Sequence, residues 1–88
     1  MMEDMIVLEV FSVNGLIEKL EMELGEYYDG DAYDELIRKN NVKSKGITSV
    51  KGTQYGSQGK PYHIWAVHFN EHGDMSKSED ILEDDTLM

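Results

Sequence analysis

The sequence predicts an α+β fold, a small three-stranded, mainly antiparallel sheet packed with two helices in the order β-α-α-β-β, followed by an acidic C-terminal tail or short helix. Three observations lead there. Residues 5–13 (Met-Ile-Val-Leu-Glu-Val-Phe-Ser-Val) are apolar and β-branched at both parities, as in a strand covered on both sides. Two stretches between residues 14 and 41 carry helix-boundary signals. Aromatic and β-branched residues then return over 62–69. At 88 residues the chain is one domain, assigned to 1–74, with 75–88 as the tail.

Each element has its own warrant. Leu16, Ile17, Leu20 and Leu24 recur at helical spacing, Asn14 is placed to cap the start, and Gly25 to end the helix in a left-handed conformation. The second helix starts at Asp31 as N-cap, has Asp34 and Glu35 in its first turn and Arg38 and Lys39 in its last, and stops at Asn41. Its pairs Asp34/Arg38 and Glu35/Lys39 have the favourable acid-before-base order. Lys45–Thr53, with Ile47 and Val50, reads as a weak edge strand. Tyr62–Phe69 reads as a strong one, with Trp65, Val67 and Phe69 on one face and Tyr62, Ile64 and Ala66 on the other. Residues 54–61 form the hairpin loop between them. Ser76 and Glu79 have capping-box spacing, so residues 77–85 are expected as a short acidic helix or an unstructured tail.

Composition excludes several classes. Without cysteine there is no disulfide frame, thiolate nucleophile or Cys-based zinc site. The acidic start and the lack of a run near ~20 apolar residues lead to the expectation of a soluble cytoplasmic protein that engages no membrane. His68-Phe69-Asn70-Glu71-His72 spells a zinc-protease string, but it runs off a strand, where residues four apart lie roughly 13 Å from one another. Asp29-Gly30-Asp31 opens like a calcium loop, yet Tyr33, Asp34 and Asn40 occupy places that need other residues. Gly52, Gly56, Gly59 and Lys60 fail the phosphate-loop patterns at Gln54 and Pro61. The chain is therefore expected to be no enzyme and to hold no catalytic residue, metal or cofactor.

Charge is the informative feature. Residues 1–37 hold eleven acids and one base, residues 38–70 six bases and no acid, and residues 71–88 seven acids and one base. The net charge of −10 is thus a sum of blocks of −10, +6 and −6. Blocks of this kind set up fields that reach about 8 Å at physiological salt. Glu21, Glu23 and Glu26 crowd the end of the first expected helix, where the dipole disfavours them. The candidate partner-binding face is Glu18, Glu21, Glu23, Glu26, Asp29, Asp31, Asp34 and Glu35. The tail acids Glu79, Asp80, Glu83, Asp84 and Asp85 are a second contributor. Such a surface suits a basic nucleic-acid-binding protein, which gains affinity by neutralising phosphates.

In size, acidity, absence of cysteine and helix-plus-sheet pattern, the chain resembles the phage-encoded host-takeover proteins that mimic DNA, above all the acidic phage inhibitor of the bacterial histone-like protein HU. The resemblance lies in the whole-chain profile and carries no motif. It implies a homodimer that occupies the DNA-binding face of HU, displaces DNA and does not itself bind nucleic acid. The +6 middle block departs from that profile. Two alternatives accompany this reading. One is an inhibitor of host RNA polymerase or another machine, acting through the Trp65/Phe69 strand or an exposed edge strand. The other is nucleic-acid binding by Lys43, Lys45, Lys51 and Lys60 with Tyr55 or Tyr62 stacking on bases.

Overall fold

A computed structural model describes residues 4–40, 46–56 and 58–83. Five strands, β1 (Met5–Ser12), β2 (Gly15–Glu23), β3 (Ile47–Tyr55), β4 (Pro61–Phe69) and β5 (Met75–Glu83), form one sheet in the order β2-β1-β3-β4-β5. Every neighbouring pair is antiparallel. Helices α1 (Leu24–Asp29) and α2 (Ala32–Asn40) link β2 to β3. Because β1 lies between those two strands, the link crosses over it, and α2 is laid on the side chains that β1 turns to that face. The expected three-stranded sheet is therefore corrected to five strands.

The two extra strands come from segments expected as helix. Residues 15–23 are β2, paired to β1 from Met5↔Glu23 to Ser12↔Gly15. Asn14-Gly15 closes a tight hairpin: Gly15 takes φ +108°, and the Ser12 hydroxyl accepts from the Asn14 amide at 3.1 Å. An Asn-Gly pair is a hairpin signal as well as a helix-start signal, and here β1 is at hand to pair. Residues 75–83 are likewise a strand, β5, whose Ser76 hydroxyl donates to the His68 carbonyl instead of capping a helix. The β4–β5 turn is held by Asn70, whose side-chain oxygen accepts from the amides of His72 (2.9 Å) and Asp74 (3.0 Å). Within it, Gly73 supplies a φ of +84°.

Alternation along the strands separates two faces. Ile6, Leu8 and Val10 point under the helices and are buried with Val50, Ile47 and Leu36. Leu20, Met22, Tyr27, Tyr33, Ile37, Trp65 and Phe69 pack around them. Among the described residues no helix packs on the face with Met5, Val7, Glu9 and Phe11, so the described elements cover β1 on one side. Trp65 lies on Gly52, its cross-strand partner, and meets Tyr33 edge-on at 6.0 Å between ring centres. The expected edge strand around Val50 is in fact β3, the central strand.

The helices follow local chemistry. Leu24 opens α1 by donating its amide to the Asp4 carbonyl, and Gly25 is inside that helix, not beyond its end. Gly30 closes α1 on the Glu26 carbonyl, and Asp31, with φ +50°, turns the chain into α2. In α2 the ion pair formed is Glu35–Arg38 at 3.0 Å, while Lys39 reaches away to Glu18 at 3.1 Å. Among the described residues no helix is long and apolar enough to cross a membrane.

Candidate acidic interface

The expected acidic helix face is dispersed by the strand that replaces it. Glu18 is opposite Val10 and turns toward α2, where its carboxylate accepts from Lys39 Nζ and from the side-chain amide of Asn40, both at 3.1 Å. Asn40 is itself 3% exposed and donates also to the Leu36 carbonyl. Glu21 and Glu23, opposite Val7 and Met5, project to the uncovered face. Glu26 and Asp29 follow on α1, and Asp31, Asp34 and Glu35 surround the start of α2.

The described basic groups are largely engaged by acids. Lys19 is 4.0 Å from Glu21, Arg38 pairs with Glu35, Lys39 with Glu18, and Lys77 with Glu79 at 3.1 Å. Lys51 is in cross-strand register with Glu9, which is flanked on its other side by Lys19. β5 adds its own stitches to β4: His63 Nε2 meets Asp80 at 2.9 Å, and His68 Nε2 meets Glu79 at 3.7 Å. The Lys77 ammonium, more than His68, holds the Glu79 carboxyl below the usual range. Glu83 closes β5, and Asp84 and Asp85 lie outside the described residues. The tail acids thus divide: Glu79 and Asp80 bind the sheet rather than joining a separate negative tail.

Asp4, Asp74 and Glu83 also have no base within 4.0 Å among the described residues, but such acids are concentrated in one stretch. Glu23, Glu26, Asp29, Asp31 and Asp34 are five carboxylates in the twelve residues of 23–34, and among the described residues none has a cation within 4.0 Å. Tyrosines share this corner. Tyr28 is 64% exposed and packs edge-on against Tyr27 at 5.2 Å. Burial, then Tyr28, Tyr33 and Asp34, pushes the Tyr27 phenol up to about 12. Burial and then Asp34 raise Tyr33 as well. The aromatic part of this corner is the feature that sequence reasoning missed, although Tyr27, Tyr28 and Tyr33 interleave with the acids in plain order.

The other candidates are placed less favourably. Trp65 and Phe69 pack against the core beneath the helices, so they form no exposed seam, and β4 is an interior strand. Of the basic block, Lys51 neighbours Glu9, Lys60 is exposed in the β3–β4 hairpin, and Lys43 and Lys45 lie outside the described residues. The Tyr62 hydroxyl donates to Asp4 at 3.4 Å, and burial followed by that carboxylate raises the pH at which the phenol loses its proton. His68 is on β4 and His72 in the turn beyond it, and no group of metal ligands forms among the described residues. The uncovered face holds a shallow hollow of about 390 Å³ floored by Met5 and Val7, with Glu9, Lys19, Glu21 and Tyr55 around it. No family model, curated protein or solved structure matches this chain.

Proposed function

We propose that this chain is a non-enzymatic acidic inhibitor that binds a basic nucleic-acid-binding protein and competes with DNA for it. One observation supports the reading: among the described residues, most bases are tied to acids while the five carboxylates of Glu23–Asp34 have none within 4.0 Å. A fixed set of carboxylates steers a cationic partner, and exposed Tyr28 adds a ring face to which guanidinium or ammonium groups are attracted. By its resemblance in size and charge, the histone-like protein HU is the first partner to test.

The test is titration of HU with the protein at two salt concentrations, with duplex DNA as competitor. Affinity is expected to fall steeply from roughly 0.01 M to 1 M salt, as the screening length shrinks from about 30 Å to about 3 Å. DNA and the protein are expected to exclude each other. Salt-independent binding, or a ternary complex without interference, would refute the reading. A second reading is favoured by the helix-free sheet face with half-buried Met5, Val7, Phe11 and Ile64, which offers a nearly flat apolar contact to a different partner. The triple change Glu23→Lys, Glu26→Lys and Asp34→Lys separates the two: it abolishes the charge-driven complex and spares one made through that face.

A further inference from the structure

We infer that the outer edge of β2, which no described strand pairs, accepts an extended segment of the partner that alternates basic and apolar residues, adding it as a sixth strand. This deepens the acidic-inhibitor reading and rests on it. β2 is an outermost strand of nine residues, and its pairing to β1 shifts register once, between Val10 and Phe11. The opposite edge, β5, has two register shifts in the same length. Bulges and charges are how proteins blunt exposed edges, and β2 is blunted by charge alone along Glu18–Glu23.

The direction of its main-chain groups follows from one bond. The Leu24 amide donates to the Asp4 carbonyl at 2.8 Å, in register with the Ile6↔Met22 and Leu8↔Leu20 pairs. Hydrogen-bonded pairs therefore fall on the even residues of β2, so Lys19 and Glu21 turn their N–H and C=O groups to the outer edge, and Glu23, the N-cap of α1, turns its N–H there. The side chains of Glu21 and Glu23 project to the uncovered face, and those of Leu20 and Met22 to the helix side, where they are half-buried. An added strand that places basic residues beside Glu21 and Glu23, and apolar residues beside Leu20 and Met22, extends both faces at once. An antiparallel second copy of β2 centred on Glu21 would set Glu21 against Glu21, and Glu18, Glu21 and Glu23 outnumber Lys19 along the edge, so its net charge favours a cationic occupant.

The experiment uses a capped nonapeptide of alternating Lys and Val, its counterpart with Glu for Lys, and the variants Glu21→Pro and Glu21→Gln. Both variants lose the carboxylate, but only proline removes the outward N–H, at a position where an edge strand tolerates it. The Lys peptide should bind, the Glu peptide should not, and Glu21→Pro should weaken binding at least tenfold more than Glu21→Gln. In the unmodified protein, exchange of the Lys19, Glu21 and Glu23 amides should slow when the Lys peptide is added, a readout that stands even if Glu21→Pro fails to fold. Equal weakening by the two variants, or unchanged exchange alongside salt-dependent binding, would overturn strand addition and leave the acidic reading standing. Slow exchange of those amides without peptide would mean the edge is already occupied and would also overturn it. Absence of any salt-dependent binding by both the peptide and HU would take down the acidic reading itself.

Discussion

Placing a methyl group at Gly52 should push the lone tryptophan off the sheet. A β-carbon there would sit 2.3 Å from two atoms of the Trp65 ring and 2.8 Å from its nitrogen. Carbon atoms in proteins meet at roughly 3.5–4.0 Å, so the ring must rise by about 1.2 Å or more. It has little freedom to do so, because Gly52 and Trp65 are cross-strand partners and Tyr33 closes over the indole edge. Overpacking costs roughly 1–3 kcal/mol, and loosening the Tyr33 contact adds up to about 1 kcal/mol. Gly52→Ala is thus expected to destabilise by about 1–4 kcal/mol, which at this chain length lowers the melting temperature by roughly 4 °C at the least. Trp65 is the sole tryptophan, so its fluorescence reports both the unfolding transition and the displacement in the folded state. The decisive measurement is the double-mutant cycle with Trp65→Ala. In that background Gly52→Ala should cost almost nothing; an equal cost in both backgrounds would refute the claim that the indole is what requires glycine.

Two further outcomes follow from buried polar and phenolic groups. Asn40→Ala removes the donor shared by Glu18 and the Leu36 carbonyl, and chemical denaturation should show a loss of about 1–3 kcal/mol; Asn40→Asp, which sets a carboxylate against Glu18, should cost more. Tyr27, raised from 10.0 to about 12 by burial and its neighbours, holds its proton longer when folded, so its contribution is intact below pH 10 and disappears as pH rises through 12. Absorbance titration should show a late tyrosinate component that vanishes in Tyr27→Phe, and the alkaline fall in stability should be shallower in that variant.

The interior was legible in the sequence where hydrophobic pattern admitted one period. β1, β4 and α2 occur where the sequence places them: β1 from its β-branched, apolar run, although that run implies cover on both sides, β4 from the alternation of Trp65, Val67 and Phe69, and α2 from acids at its start and bases at its end. β2 was not, since Leu16, Ile17, Leu20 and Leu24 satisfy a helical period while Leu20, Met22 and Leu24 equally satisfy a strand period. Only pairing with β1 decides between them. β5 was missed for another reason. Its residues Met75–Glu83 carry few apolar side chains and take their strand form from an exposed edge ladder on β4, fastened by His63–Asp80 and His68–Glu79. Nothing local to that segment encodes those partners.

Charge blocks along the chain become a different distribution once these ladders form. β5 carries the last acidic block back across the middle of the chain and pins Asp80 and Glu79 to histidines of β4, while Lys39 is drawn to Glu18 of the first block. Compensation therefore runs through strands placed beside one another and not through a tail folding over a basic patch. Among the described residues the acids of 23–34 stay outside this pairing, because the nearest bases in sequence, Arg38 and Lys39 at the end of α2, are taken by Glu35 and Glu18. The acids expected to act together as one helix face are instead divided by the sheet, Glu18 to the helix side and Glu21 and Glu23 to the other. The negative surface that remains is thus defined by topology: a corner built from α1 and the start of α2, continuous in sequence with the outer β2 edge, where the carboxylates of Glu21 and Glu23 stand on the uncovered face beside outward main-chain groups.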